Sequence, residues 1–254
     1  MKKLLKKIIN KLGYSIILTK NLHEKYPDIR EEEFWEIYYL CNPYTMTSIE
    51  RMYSLYCSMD YILTNNIEGD FVECGVWRGG SAMLMAKMLA NRNIHNRKIY
   101  LFDTFEGMSE PTNIDLSFRG EDAGSLLAKI EDDKENSVWC LANLTDVKNN
   151  MGKTNLPIDN IVYVKGKVED TLTENSPVGI IALLRLDTDW YESTKHELNI
   201  LFPKLKENGV LIIDDYGHWQ GCRKAVDEYF NQNINSIFLN RIDYTGRIGI
   251  KTIR

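Results

Sequence analysis

The chain has 254 residues, 44% of them hydrophobic and 26% charged, with a formal net charge of −5; this supports one substantial core and lacks the basic footprint by which nucleic-acid binders hold phosphate, so no nucleic-acid partner is expected. The five cysteines, Cys41, Cys57, Cys74, Cys140 and Cys222, are odd in number, form no C-x-x-C pair and read as reduced thiols of a cytoplasmic protein, which excludes a disulfide frame and a cysteine zinc site. No apolar run reaches the roughly 20 residues needed to span a bilayer, so a soluble protein is expected.

At the N-terminus, Lys2, Lys3, Lys6, Lys7 and Lys11 alternate with Leu4, Leu5, Ile8, Ile9 and Leu12, the pattern of a basic amphipathic helix. It lacks the continuous apolar stretch and small-residue cleavage site of a secretory signal. Packing on the domain or on a partner subunit is the expectation, with attachment to an anionic membrane surface as the second reading. Residues 21–65 are rich in aromatics and Met and read as helical, broken at Pro27 and Pro43. Residues 1–65 are therefore expected to form a helical segment ahead of a domain spanning 66–254.

From there the chain alternates short apolar runs with amphipathic stretches, which predicts an α/β fold with helices layered on a mostly parallel sheet. Strands are expected at Phe71–Cys74, Lys98–Phe102, Ile161–Lys165, Ile180–Leu186 and Val210–Ile213. Helices are expected at Ser81–Asn91, as a polar pair within Gly124–Met151, at Ser193–Leu205 and at Trp219–Asn231. The segments Ser236–Ile242 and Arg247–Ile253 flank the turn-like Asp243-Tyr244-Thr245-Gly246 and predict a closing antiparallel hairpin.

Ligands of such sheets bind beyond the carboxyl ends of the strands, where this chain is unusually acidic. The run from Phe71 to Ser81, FVECGVWRGGS, passes from strand through a glycine-rich turn into a helix with Ser81 as its expected cap. Glycines there permit a tight turn and close approach of a ligand to backbone N–H groups. The spacing of Gly75, Gly79 and Gly80 departs from G-x-G-x-x-G and argues against NAD or FAD. Glu73 suits a ligand bearing an ammonium group, as S-adenosylmethionine does, and Asp103 stands where a carboxylate can accept both ribose hydroxyls. Trp77, Arg78 and Thr104 complete this candidate cofactor set.

Asp187 follows the fourth predicted strand, and Asp214 and Asp215 end the fifth. Neighbouring strands lie about 5 Å apart, so these carboxylates should converge, repel and raise one another's pKa values unless a cation lies between them. Oxygen-only donors select a hard divalent ion, Mg²⁺ first, with Mn²⁺, Fe²⁺ or Ca²⁺ as alternatives. The plainer alternative is that these aspartates cap helices or pair with Arg185 or Arg223.

Taken together, the runs GDFVECGVWRGG (69–80), FDTFEGM (102–108), VEDTL (168–172), LDTDWYEST (186–194) and GVLIIDDYG (209–217) through WQGCRKAVD (219–227) resemble the macrocin O-methyltransferase (TylF/MycF/NovP-type) family of metal-dependent class I sugar methyltransferases over roughly residues 40–253. The resemblance implies a seven-stranded Rossmann-like methyltransferase sheet, an N-terminal helical lid over the acceptor site, and a homo-oligomer. It implies that Asp187, Asp214 and Asp215 ligate the metal, that Asp187 also faces the cofactor, and that Asp189 is the general base. Gly166, Val168 and Glu169 would lie near the adenine, and Glu106–Gly124 would be a loop ordering over the cofactor.

The implied reaction is in-line attack of a sugar oxygen on the sulfonium methyl. His218 competes with Asp189 for the proton-acceptor role, since histidine titrates near neutrality. Trp77, Trp190, Tyr191 and Tyr216 read equally as sugar-site or core residues. The heavy use of Lys, Asn and Ile favours a surface-polysaccharide or nucleotide-linked sugar as acceptor over a glycosylated natural product. Two competing classes are a glycosyltransferase using Asp187-Thr188-Asp189 as a D-x-D metal motif, and a non-catalytic cofactor-binding protein; both leave Asp214 and Asp215 or the glycine turn without a role.

Overall fold

In the computed structural model, residues 22–129, 139–232 and 237–252 are described. The basic segment at the N-terminus, part of the polar helical stretch, the start of the first hairpin strand and Ile253 lie outside them. The chain divides into two compact units, up to Trp35 and from Glu36 onward. In the first, α1 (Leu22–Lys25) is followed by the Pro27 break, the His23 ring stacks on Trp35 at 4.1 Å, and the Trp35 indole N–H donates to Ile29 O at 3.1 Å. Helix α2 (Glu32–Cys41) runs across the boundary into the second unit.

In that second unit, a 3₁₀ turn over Asn42–Tyr44 contains Pro43, after which α3 (Ile49–Thr64) starts at Ser48, whose hydroxyl accepts from Arg51 N–H. Ile49, Met52, Leu55, Tyr56, Met59 and Ile62 recur at helical spacing and are buried. The sheet then alternates with helices: β1 (Asp70–Cys74), α4 (Gly80–Asn91), β2 (Ile99–Asp103), α5 (Ala123–Lys129), α6 (Leu144–Met151), β3 (Ile161–Lys165), α7 (Val168–Thr171), β4 (Ile181–Leu186), α8 (Tyr191–Leu201), β5 (Leu205–Ile213), α9 (Gln220–Gln232), β6 (Asn240–Arg241) and β7 (Arg247–Ile250). Among the described residues the seven strands are ordered β3-β2-β1-β4-β5-β7-β6. The first five are parallel, and β7 runs antiparallel to both β5 and β6. This is the mostly parallel class I methyltransferase sheet with a C-terminal antiparallel hairpin. No described helix is long and apolar enough to cross a membrane.

Three local expectations need correction. The helix expected over Ser193–Leu205 ends at Leu201, and Phe202–Lys204 forms a 3₁₀ turn, because Pro203 cannot supply an interior helical N–H. Leu205 instead opens β5, whose polar Lys206–Gly209 stretch gave no apolar signal and pairs through a register shift against β4. Helix α4 is capped not by the side chain of Ser81 but by Gly79, which holds a left-handed φ of 91°; Ser81 is the second residue of the helix and is buried.

Register positions the site. Glu73 lies opposite Arg185 across the β1–β4 ladder, and Leu186 opposite Ile213 across β4–β5, so Asp187 and Asp214 leave the sheet side by side. The ladder continues one step beyond the strands, with Asp187 N–H donating to Cys74 O at 2.8 Å and Asp214 N–H to Leu186 O at 2.9 Å.

Candidate active site and metal centre

A cavity of about 310 Å³ opens at the carboxyl ends of β1, β2, β4 and β5. Gly75, Trp77, Gly80, Ser81 and Asp103 line one side, and Asp187, Asp189, Asp214, Asp215 and His218 another. A smaller recess of about 60 Å³ shares Gly75, Asp103 and Asp187 with it and is walled by Thr104, Gly166, Val168 and Glu169. Fourteen of the candidate residues named from the sequence thus meet around one connected space, with Gly75, Asp103 and Asp187 shared by both parts. A Cβ at Gly75 would overlap the Asp187 carbonyl, and its φ of 81° is left-handed, so the turn requires glycine there.

Asp103 holds the turn itself. Its Oδ2 accepts from the N–H groups of Val76 and Trp77 at 2.6 and 3.2 Å, and its Oδ1 from Phe105 N–H at 2.6 Å and, weakly, from the Thr104 hydroxyl at 3.4 Å. Burial raises its pKa while these donors oppose the rise. The carboxylate is therefore committed to backbone donors, and any ribose contact would add to an architectural role. Asp103→Ala is expected to cost about 1–3 kcal/mol of folding stability, because three backbone donors lose their acceptor, and to weaken S-adenosylmethionine binding in parallel. Denaturation and titration calorimetry on the same variant check this; unchanged stability would remove the architectural role.

Three residues assigned to the cofactor from sequence do not line either space. Gly79 is the helix cap. Arg78 donates through Nε and Nη2 to the Asp146 carboxylate at 2.8 and 3.2 Å. Glu73 is buried and receives Arg185 Nη1 on Oε1 at 2.6 Å, so the partner of this carboxylate is a guanidinium of the protein. Among the aromatics, Trp77 lines the cavity, Trp190 and Tyr191 are core, and Tyr216 donates to Asp227 at 2.7 Å away from it.

Arg185 organises the acidic side. Besides Glu73, it reaches Asp187 Oδ2 at 2.7 Å and Asp214 Oδ1 at 2.6 Å. The aspartates are thus not all unpaired, as their spacing alone implied; Arg185 neutralises part of their charge, while Arg223 pairs with Asp227 instead. A charged residue inside the otherwise apolar strand Ile181–Leu186 was the signal for this centre. Arg51, projecting from α3 onto Asp214 Oδ2, carried no such signal.

Asp189 sits at a left-handed φ of 68°, a conformation uncommon for a residue with a side chain and concentrated at functional sites. Burial raises the pKa values of both Asp189 and Asp215, and the charge of Asp187 beside them adds to the rise. His218 is pushed down by burial and by Arg51, and its Nδ1 lies 3.1 Å from the Tyr244 hydroxyl. Glu73 is raised by burial to about 7, and Glu197, buried under the Thr188 hydroxyl, is raised as well.

These shifts set a pH dependence. The folded chain retains protons on Glu73, Asp189, Asp215 and Glu197 where the unfolded chain releases them near pH ~4, so stability falls as pH rises from there toward about 7. His218 acts in the opposite sense, as one group against four. In chelator, the Tm is expected to drop between about pH 5 and pH 8, and Mg²⁺ is expected to restore it; a flat or rising Tm in scanning calorimetry contradicts this.

The segment after β2 is laid over the starts of α8 and α9. Asp115, fully buried, accepts from Tyr191 N–H at 2.8 Å, Leu116 O accepts from Gln220 N–H at 2.8 Å, and Ser109 O accepts from the Trp190 indole at 3.0 Å. Gly107 and Met108 from this segment face the cavity, as does Cys140.

A family model described as macrocin-O-methyltransferase (TylF) matches residues 38–248. The demethyldecarbamoylnovobiocin O-methyltransferase of Streptomyces niveus is 34% identical over 188 residues, 74% of this chain and 68% of that protein. An O-methyltransferase of Streptomyces olivaceus that acts at the 4′ position of 8-demethyl-8-(2,3-dimethoxy-alpha-L-rhamnosyl)-tetracenomycin-C is 34% identical over 203 residues, 80% of this chain and 74% of that one. The solved structure of the O-methyltransferase NovP superposes with a TM-score of 0.69 at 32% identity, covering 83% of each chain.

Proposed function

This chain belongs to the macrocin-O-methyltransferase family of S-adenosylmethionine-dependent O-methyltransferases, and from that premise we propose that it methylates a sugar hydroxyl with the help of a divalent cation held by Asp187, Asp214 and Asp215. The observation that carries the reading is the donor set. These three residues each offer an oxygen within 4.8 Å of the others, and Asp215 Oδ2 is withdrawn from solvent with no N–H or O–H donor of the described residues reaching it. An oxygen-only cluster with an unsatisfied buried oxygen suits Mg²⁺, with Mn²⁺ or Fe²⁺ as alternatives.

When bound, S-adenosylmethionine supplies an electrophilic methyl group, and the cation supplies Lewis acidity that lowers the pKa of a nearby hydroxyl. The chain supplies the rest. The Gly75–Gly80 turn, held by Asp103, presents backbone N–H groups at the start of α4; the recess beside Gly166, Val168 and Glu169 would take the adenine; and the fixed strand ends would hold the reactants in place, a contribution worth up to ~7–11 kcal/mol. Asp189 accepts the hydroxyl proton. It lines the cavity two residues beyond Asp187, at a left-handed φ that turns it away from the strand end.

Residues 36–65 wall the acceptor side through Tyr44, Thr45, Met46, Thr47 and Arg51, in keeping with a helical lid. The acceptors named for the relatives are demethyldecarbamoylnovobiocin and a rhamnosyl-tetracenomycin, and residue usage here favours a surface-polysaccharide or nucleotide-linked sugar. A homo-oligomer in the cytoplasm completes the reading. The test is methyl transfer from labelled S-adenosylmethionine, with Mg²⁺, over a panel of nucleotide sugars, oligosaccharides and natural-product glycosides. Methylation confined to catechols or other non-sugar hydroxyls would overturn it.

A further inference from the structure

Asp214 is the proposed ligand that is already fully engaged. Its Oδ1 receives Arg185 Nη2 at 2.6 Å, and its Oδ2 receives Nη1 of Arg51. The two guanidiniums are held differently. Arg185 is inside the sheet, with side-chain exposure of 3%, and is also fixed by Glu73 and Asp187. Arg51 comes from the first turn of α3, lines the open cavity, and has a second anionic partner behind it: Nε lies 3.1 Å from Asp243 Oδ2, and the Ser48 hydroxyl donates to that same oxygen at 2.7 Å. Asp243 is in turn fixed by accepting from Thr245 and Gly246 N–H at 2.9 and 2.7 Å.

We propose that Arg51 is an internal competitor for the metal: its guanidinium occupies the Asp214 oxygen that the divalent cation would use, and metal entry moves it back onto Asp243. The inference rests on the metal reading above and adds a residue that acts against it. A monovalent group already neutralising Asp214 forces the cation to displace it, and a positive charge that stays within a few ångströms lowers cation affinity further. Asp243 keeps the displaced guanidinium paired, so exchange does not leave a buried charge alone. The four aspartates at positions 187, 189, 214 and 215 are thereby partly neutralised before metal arrives, by a group whose hold can be broken.

The test is Mn²⁺ binding to the full-length chain, measured as loss of the free-ion electron-paramagnetic-resonance signal and by titration calorimetry, with folding checked by circular dichroism. Arg51→Gln is expected to tighten Mn²⁺ binding by about tenfold or more, because it removes the competing charge and frees Oδ2. Asp243→Asn is expected to weaken binding, because the displaced guanidinium loses its alternative partner. If Arg51→Gln does not fold, Arg51→Lys is read in its place: an ammonium cannot span Asp214 and Asp243 in the same way, and tighter binding is again expected. Equal or weaker Mn²⁺ binding by the folded Arg51 variant, with wild-type binding intact, overturns the competitor role and leaves the metal reading standing. Absence of Mn²⁺ binding by both wild type and variant overturns both.

Discussion

Exhaustive chelation is expected to abolish methyl transfer while largely sparing S-adenosylmethionine affinity, because the proposed cofactor side of the cavity is lined by the Gly75–Ser81 turn and Asp103 and the proposed cation side by residues at the ends of β4 and β5. Asp187→Asn and Asp215→Asn should lower activity at limiting Mg²⁺ and recover in part at higher concentration, since an amide keeps one oxygen donor and loses the charge. Asp214→Asn also removes the counter-charge of Arg185 and Arg51, so it should lose stability as well. Asp189→Asn should behave differently from all three: kcat falls by ~10²–10⁴-fold at saturating metal with no rescue, the range for losing a positioned proton acceptor. Initial rates across a Mg²⁺ series, with calorimetric cofactor titrations in chelator, separate these cases. Full turnover after chelation would remove the metal mechanism, and an active Asp189→Asn beside an inactive His218→Gln would transfer the proton to His218.

The largest effect on folding is expected at Arg185. Replacing it with Met keeps much of the volume but leaves Glu73 buried without its counter-ion and Asp214 with Arg51 alone, and breaking a buried ion pair from one side costs about 3–5 kcal/mol. That is a large share of the roughly 5–15 kcal/mol that holds a domain folded. Glu73→Gln in the same chain should return part of the loss above about pH 7, where Glu73 is ionised, because it removes the stranded charge; the two changes lie across a ladder pair and are not expected to add. Denaturant unfolding of wild type, both single variants and the double variant closes the cycle. A destabilisation by Arg185→Met of under ~1 kcal/mol would mean that the surrounding carboxyls are satisfied without it.

The amino-acid sequence by itself determined the layered fold and the outline of the site. Apolar runs of strand length, separated by amphipathic stretches, declare a mainly parallel sheet, and such a sheet places the residue after each run at one edge. Gly75, Asp103, Asp187, Asp214 and Asp215 were legible for that reason: each is a strand-end residue, and one ladder step brings them together. What each carboxylate does there was decided only by tertiary contacts. Asp103 is spent on the backbone of the turn, and Glu73 faces Arg185 in place of a ligand, because the β1–β4 register sets them opposite one another across 112 residues of chain. Arg51 reaches Asp214 across 163 residues from a helix whose own pattern shows only an apolar face and a serine cap. Local periodicity records which face of an element is buried; the pairing of two charges depends on register and on the path of a loop, and neither leaves a mark within one turn or strand of the residues concerned.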